Sequence, residues 1–165
     1  MGRQKTTKTD FAYIAGFLDG DGSVMVQIKK RSDTKQGWRF MTTLCFYQDS
    51  GHEKYLYWIR EKLGIGYISR RKDKITELRI NGYEATNKIL LKLRPYVKFK
   101  EKQVGKILEI LSIIKGKDFY TTSRKERKKI AEDIIAIRKE NYWSHWRRYS
   151  EDDIRNIVVS GSLSP

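Results

Sequence analysis

The sequence predicts an α+β domain in which helices cover one face of an antiparallel sheet. Two observations carry this prediction. Four short segments alternate apolar and polar residues, which is typical of half-buried strands, and segments with apolar residues at helical spacing lie between and around them. The chain of 165 residues is also long enough for one domain with a sizeable core. The predicted order is helix, two strands, helix, two strands and helix, with further helices at the C-terminus.

The first helix is predicted from about residue 10 to about Gly20, with Thr9 or Asp10 as its cap. Gly16 and Gly20 are four residues apart and therefore share one face of this helix. A face without side chains lets another backbone approach closely. Residues 1–9 are polar and basic, and we expect a flexible arm there, which either contacts phosphate or is only a disordered terminus.

The first two strands are predicted over about residues 23–31 and 38–47. Alternation assigns one face of this hairpin to the core. The core-facing residues are Val24, Val26, Ile28, Phe40, Thr42, Leu44 and Phe46. The residues that point the other way are Met25, Gln27, Lys29, Arg31, Arg39, Met41, Thr43, Cys45 and Tyr47.

The second half of the core repeats this arrangement. A helix ends at Gly64, since glycine is common just past a helix. Strands are predicted over 65–71 and about 75–81, and a helix then runs from about Tyr83 to Leu93 before Pro95. Both hairpins would join one sheet with its helices on one side, and an antiparallel sheet tolerates an uncovered second face.

That uncovered face is predicted to bind DNA, because arginine and glutamine hydrogen-bond to base edges in the major groove and basic groups contact phosphate. The alternative is a face that is merely solvated, as is usual for charged strand residues. The predicted DNA-binding residues are Gln27, Lys29, Arg31, Arg39, Ser69, Arg71, Glu77 and Arg79.

The C-terminal part is predicted to be helical and basic. Ser123 is a candidate helix cap, and Ser150 with Asp153 resembles another helix start. Trp143 and Trp146 suit either base stacking or packing of a terminal helix, of which packing is the simpler interpretation. We divide this single domain into an arm over 1–9, a core over 10–115 and a C-terminal helical part over 116–160.

Charge points to a nucleic-acid partner. The chain has 35 Lys and Arg against 20 Asp and Glu, a net charge of +15 and a pI near 9.9. Nucleic acid is the first expectation and a membrane surface the second, but no apolar run reaches spanning length and no signal-peptide core is seen. Cys45 is the only cysteine, which excludes an internal disulfide, and no cysteine and histidine cluster suits structural zinc.

The end of the first helix suits a divalent metal. The last carbonyls of a helix lack intrahelical partners, and Asp19 and Asp21 add carboxylates there. Hard oxygen ligands of this kind bind magnesium or calcium. A simple Asp-Gly turn is the alternative. An EF-hand loop starting at Asp19 is excluded, because its twelfth position is Lys30 where a glutamate is needed.

The stretch from Ala15 to Ser23, AGFLDGDGS, resembles the signature helix of the LAGLIDADG homing endonucleases. It occurs once, as in the single-motif members that work as homodimers. The resemblance implies an αββαββα core whose sheet forms a saddle on DNA. It implies that Asp21 and the carbonyl of Gly20 bind the catalytic metal. It also implies a dimer interface containing Gly16, Gly20 and Asp19, although Asp19 suits a structural role better.

Two further site residues follow from the resemblance. The family places a glutamine at the end of the second strand, where it helps to order water at the metal, and Gln48 occupies that position. A lysine precedes the helix after the core, and in Pro95-Tyr96-Val97-Lys98-Phe99-Lys100 the matching residue is Lys100. A basic residue is expected shortly after Gln48, but the position falls on His52, which departs from the family pattern.

The resemblance therefore implies a homodimeric, intron-encoded endonuclease that cleaves both strands of a long pseudo-palindromic DNA site and leaves 3′ overhangs. Magnesium is the expected cofactor, with calcium or manganese as substitutes. An intracellular location is expected, in a mitochondrion, a chloroplast or a prokaryotic cytoplasm. A maturase-like protein that binds intron RNA and a non-catalytic DNA-binding regulator remain alternatives.

Overall fold

The computed structural model describes residues 6–33, 37–117, 119–141 and 149–160. Within these ranges, six α-helices accompany one four-stranded sheet, and the order confirms the predicted α+β class. The helices are α1 Lys8–Asp21, α2 Lys54–Leu63, α3 Tyr83–Leu93, α4 Glu101–Ile113, α5 Arg124–Glu140 and α6 Glu151–Ser160. The strands are β1 Gly22–Lys30, β2 Trp38–Asp49, β3 Tyr67–Arg70 and β4 Ile75–Asn81.

The sheet is antiparallel throughout, in the order β1-β2-β4-β3. The β1–β2 ladder runs from Gly22 opposite Phe46 to Lys30 opposite Trp38. The start of β1 therefore lies beside the end of β2, while the opposite end of both strands leads into the hairpin connection. This register places the C-terminal end of α1 at the end of the sheet where β1 begins and β2 ends.

The core lies between the sheet and the helices on one of its faces. Ile14, Ala15 and Leu18 of α1 are fully buried, as are Leu44 and Phe46 of β2. We call this the helix-covered face of the sheet, and the opposite surface the outer face. The alternation predicted for β2 is confirmed on the helix-covered face, where each of its predicted core residues is buried.

β1 is shifted by one residue from the predicted range and β2 ends two residues later than predicted, and two further boundaries differ for a clear physical reason. α1 begins at Lys8 rather than near residue 10, because Thr7 and Asp10 form a reciprocal capping box. The expected arm therefore ends earlier, and its residues 1–5 lie outside the described residues. β3 is shorter than predicted, because Gly66 has a φ of 108°, which is outside the strand region, and the strand begins only at Tyr67.

The C-terminal helices pack in sequence on the core. Ser123 caps α5 through a capping box with Glu126, as predicted. Ser150 and Asp153 exchange the hydrogen bonds expected of a helix start. Trp143 and Trp146 lie outside the described residues. Over the described ranges, we find no helix long and apolar enough to cross a membrane.

Candidate functional site

The junction between α1 and β1 contains no loop. Asp21 is the last residue of α1, and Gly22 is the first residue of β1. The helix ends with a hydrogen bond from the Gly22 N–H to the Leu18 carbonyl oxygen. Asp21 is exposed, so its carboxylate stands at the surface at a point fixed by a helix on one side and a strand on the other.

Asp19 has a different environment from Asp21. Only 9% of Asp19 is exposed, and its carboxylate accepts two backbone hydrogen bonds from the segment before α4. The Lys98 N–H donates to Oδ2 at 2.7 Å, and the Lys100 N–H donates to Oδ1 at 3.0 Å. Asp19 was predicted at the dimer interface or in a structural role. Its carboxylate forms these hydrogen bonds within the chain, which agrees with a structural role.

Lys100 is a buried lysine beside the two aspartates. It is 8% exposed, and its ammonium donates to the backbone carbonyl oxygen of Asp19 at 2.5 Å. Burial lowers the pKa of Lys100 from its usual value, while the nearby Asp19 and Asp21 act in the opposite direction. The sequence-predicted pair of Asp21 and Lys100 is thus brought to one place.

A cleft of about 760 Å³ opens at this place and is lined by Asp21 and Lys100. Ser23 and Tyr47 form another part of its wall, and their hydroxyl oxygens lie 2.9 Å apart. Burial raises the pKa of the Tyr47 phenol to about 12, so the phenol is neutral at physiological pH. The cleft therefore combines the exposed carboxylates of Asp21 and Glu140, the buried ammonium of Lys100 and neutral hydroxyl groups.

The oxygen donors at the end of α1 are of the kind that a divalent metal prefers. The carboxylate of Asp21 and the carbonyl of Gly20 are hard oxygen ligands at the negative end of a helix dipole. The carbonyls of Leu18 and Asp19 already accept hydrogen bonds. No group of three or more His, Cys, Asp or Glu side chains able to hold a metal is found among the described residues.

One face of α1 is open. A Cβ added at Gly16 or Gly20 would meet nothing within 4 Å. Tyr13, three residues before Gly16, is 58% exposed and packs edge-on against Trp58 of α2. The face that the sequence predicts for close helix packing is therefore available to a partner, whereas the opposite side of α1 is buried.

Gln48 and His52 lie near the end of β2. Gln48 is the penultimate residue of that strand, and its Oε1 accepts a hydrogen bond from the Asp49 N–H at 2.9 Å. His52 is exposed at the end of a short 3-10 helix, Ser50–His52. Neither residue is among those that line the cleft with Asp21.

The outer face carries an ionic cluster around Glu77. Only 3% of Glu77 is exposed, although it was predicted as an outward-facing DNA contact. Its carboxylate accepts from Arg79 Nε at 2.5 Å and from Arg71 Nη1 at 3.1 Å. Arg71 also contacts the exposed Asp73 at 2.6 Å. Glu77 thus holds two arginines in place and is itself shielded from solvent.

The remaining predicted DNA-binding residues are distributed over both ends of the outer face. Lys29 lies opposite Arg39 at the hairpin end of the β1–β2 ladder, and both are exposed. Arg31 follows β1 and contacts Asp33 at 2.6 Å. Gln27 of β1 and Ser69 of β3 are half-buried. Thr43 and Cys45 are completely covered in the middle of this face, so it is less open there than alternation alone suggests.

Gln103 and Asn141 also line this cleft and were not predicted from the sequence. Gln103 donates from Nε2 to the carbonyl oxygen of Glu140, and Asn141 donates from Nδ2 to the carbonyl oxygen of Val24. No sequence signal marks these two residues, since their contacts join α4 to the end of α5 and α5 to β1. The buried role of Asp19 had a signal, because a carboxylate in the last turn of a helix opposes the helix dipole.

The motif, the fold and the cleft agree with one protein family. The family model described as LAGLIDADG endonuclease matches residues 14–114, which includes the second half of α1, the whole sheet and all of α4. The chain belongs to the LAGLIDADG endonuclease family. The resemblance inferred from the sequence is thereby confirmed.

Two relatives of this LAGLIDADG protein are DNA endonucleases from green algae. The chain is 29% identical to DNA endonuclease I-CreI of Chlamydomonas reinhardtii over 107 residues, which is 65% of each chain. It is 32% identical to DNA endonuclease I-CvuI of Chlorella vulgaris over 101 residues, which is 61% of this chain and 63% of the relative. Each match thus spans slightly less than two thirds of the relative's length.

Solved structures of LAGLIDADG proteins share the fold. I-CvuI in complex with its target in the presence of calcium superposes with a TM-score of 0.80 and 23% identity, covering 96% of this chain and 98% of that one. The archaeal intron-encoded homing endonuclease I-Vdi141I complexed with DNA gives a TM-score of 0.74 and 21% identity, covering 91% and 94%.

Proposed function

We propose that this protein is a site-specific DNA endonuclease that acts as a homodimer and hydrolyses phosphodiester bonds with a divalent metal. One observation carries the proposal: the exposed Asp21 carboxylate ends the same helix whose glycine face is open, and the buried ammonium of Lys100 lies beside it. The family of the chain and the DNA complexes of its structural neighbours support this reading.

The homodimer completes the site. If two α1 helices pack through Gly16 and Gly20, the two Asp21 carboxylates approach each other at the two-fold axis. Their mutual repulsion is offset by bound cations, and each chain then needs to supply only part of the ligand set. The small number of metal ligands within the described part of one chain is consistent with such a shared site.

Magnesium bound by Asp21 and the Gly20 carbonyl would neutralise phosphate charge and lower the pKa of attacking water. The side chains of the protein then have separate tasks. Lys100 presents its ammonium, held by a backbone carbonyl, toward the place where negative charge develops on the phosphate. Gln48, at the end of β2, orients water through its amide. His52 has no assigned task in this scheme.

DNA binding is assigned to the outer face. The net charge of +15 attracts the duplex, and the exposed Lys29 and Arg39 extend this surface toward the hairpin end. Arg79 is fixed through Nε by Glu77, so its two terminal nitrogens remain for a guanine edge. A symmetric dimer requires a pseudo-palindromic site. The resemblance to the family implies that the two cuts, one in each strand, leave 3′ overhangs.

A cleavage selection tests the proposal. Wild-type protein and its Asp21→Asn variant are incubated with a randomised duplex library in magnesium or calcium, and cut ends are sequenced. Magnesium-dependent staggered cuts at a near-palindrome, lost only in the Asp21 variant, support the proposal. Asp10→Asn is the matched control, because it makes the same chemical change at the other end of α1, away from the cleft.

Binding without cleavage by the wild type would overturn the proposed enzyme. Equal binding by the Asp21→Asn variant would then indicate a non-catalytic DNA-binding protein. Tighter binding to structured intron RNA than to duplex DNA would favour a maturase-like role. A salt titration alone does not separate these outcomes, because each predicts steep salt dependence.

A further inference from the structure

We propose that Asp19 is a positioning residue for Lys100, fixing the backbone of residues 98–100 with its carboxylate and the Lys100 ammonium with its carbonyl oxygen. This inference rests on the proposed endonuclease activity for its kinetic consequence. Its structural part concerns only contacts within one chain. It gives Asp19 a task distinct from metal binding and from a dimer contact.

The Asp19 carboxylate pairs with two backbone amide groups. Lys98 and Lys100 lie 79 and 81 residues after Asp19 in the chain, and their N–H groups reach the two different oxygens of the same side chain. Hydrogen bonds to a charged acceptor are stronger than neutral ones. The segment before α4 is therefore held to the last turn of α1 by both oxygens of one carboxylate.

A further hydrogen bond runs in the opposite direction, from Lys100 to Asp19. The side chain of Lys100 returns to the backbone carbonyl oxygen of Asp19 at 2.5 Å. One residue thus fixes both ends of Lys100, its amide and its ammonium. The four side-chain torsions of a lysine otherwise populate several rotamers, and a lysine gains its position mainly from such contacts.

Burial of the Lys100 ammonium costs free energy unless its hydrogen bonds are satisfied. Lys100 is 8% exposed, and a buried ammonium without hydrogen bonds is strongly disfavoured. Asp19 supplies one acceptor for that ammonium and a negative charge nearby. Asp21 is the other negative charge near Lys100, so any loosening of residues 98–100 changes the distance between Lys100 and Asp21.

The substitution that tests this is Asp19→Asn. It keeps the size of the side chain but places an amide NH2 against one of the two backbone N–H groups, which removes one of the two hydrogen bonds. A displacement of Lys100 by about 1 Å would slow single-turnover cleavage about 100-fold. Binding to the cleavage site in calcium should stay within about threefold of wild type, because the outer face is unchanged.

A double-mutant cycle separates positioning from general destabilisation. If Asp19 acts through Lys100, Asp19→Asn should change the cleavage rate less than about threefold in a Lys100→Met background. Asp10→Asn is the control on the same helix, since Asp10 binds Thr7 and Lys62 and makes no contact with Lys100. Its effect on the rate should be small in both backgrounds.

A second measurement does not depend on cleavage. In protein labelled with 13Cε-lysine, the Lys100 signal is assigned by its loss in Lys100→Met. That signal should shift in Asp19→Asn and stay in place in Asp10→Asn. A signal that is unchanged in Asp19→Asn, or additive rate losses in the cycle, would overturn the inference. A shifted signal in a protein that never cleaves would support the positioning role and overturn the endonuclease proposal.

Discussion

The Gly22 N–H donates to the Leu18 carbonyl oxygen, and a Cβ at Gly22 would come within 2.6 Å of Leu18 Cδ1 and 2.8 Å of the Leu18 oxygen. The φ of Gly22 is −126°, which suits any residue, so the requirement for glycine at this position is steric. Since Leu18 is fully buried, it has little freedom to move away. This contact sets how closely β1 follows α1, and with it the position of Asp21.

Gly22→Ala should therefore destabilise the protein by about 1–3 kcal/mol, because the methyl group overpacks a filled site. Urea unfolding at neutral pH measures this loss. Gly105→Ala in α4 is the matched control, since a Cβ at Gly105 meets nothing within 4 Å and alanine favours the helix. Equal free energies of unfolding for Gly22→Ala and the wild type would contradict the steric argument.

Gly16→Ala should weaken self-association at least about tenfold if helix packing requires the glycine face. Within one chain, the added methyl group meets no atom within 4 Å, and alanine should stabilise the helix by about 0.5–1 kcal/mol relative to glycine. Sedimentation equilibrium measures the dissociation constant. Gly105→Ala should show the gain in stability without the loss of association, and a parallel result for both variants would argue against an α1 interface.

Glu77→Gln should reduce sequence discrimination more than affinity. The variant loses the ion pairs that hold Arg71 and Arg79, and it removes one negative charge from the outer face. Competition between the selected site and random duplex DNA measures the specificity ratio. Asp73→Asn removes the exposed partner of Arg71 and also one negative charge, so it controls for net charge. Retained discrimination in Glu77→Gln would show that the arginines do not depend on this carboxylate.

Glu53 should contribute a pH-dependent term to stability. Hydrogen bonds from Arg70 and then Thr76 lower the pKa of Glu53 from 4.5 to about 2. Because the folded-state pKa is depressed, the contribution is complete above pH 4.5 and is lost as the pH falls toward 2. The difference in unfolding free energy between wild type and Glu53→Gln should shrink over that window in urea titrations.

Magnesium should not stabilise the free protein. In the proposed dimer the protein ligands would be only the two Asp21 carboxylates and the Gly20 carbonyls, and water and DNA phosphate would supply the rest, so the metal should bind weakly without DNA. Thermal unfolding in chelator and in millimolar magnesium should agree within about 1 °C. Cleavage should nevertheless be lost in chelator. A large magnesium-induced rise in Tm without DNA would show a complete metal site in the free protein.

Much of this fold was predictable, because the alternating pattern of strands and the 3.6-residue pattern of helices identify most of its elements. The alternation in β1 and β2 assigned Phe40, Leu44 and Phe46 to the core, and all three are buried there. The cap of α1 was predicted wrongly, since Thr9 and Asp10 were the candidates and the cap is Thr7. The reciprocal Thr7 and Asp10 bonds decide the start at Lys8, and only the three-residue spacing of that pair indicated it.

The site was predictable only where a motif carried it. Asp21 and Lys100 were named from local patterns, but their proximity depends on how α4 packs against the rest of the fold. The contacts of Asp19 join residues 79 and 81 positions apart, which no local pattern reveals. Glu77 was assigned to the correct face, yet its burial results from Arg79 on its own strand and Arg71 beyond β3.

Because α1 passes directly into β1, the length of β1 fixes the distance between Asp21 and the hairpin end of the sheet. β1 begins one residue after Asp21 and ends at Lys30, so its eight residue steps extend about 26 Å at about 3.3 Å per residue. A duplex rises about 3.4 Å per base pair, and the same length covers about eight base pairs. In the proposed complex, the backbone itself would therefore set how far from the cut the hairpin end makes its contacts. Substitutions of outer-face side chains would alter which bases are recognised. The distance between the contacts at the hairpin end and the cleaved phosphodiester bond would stay the same.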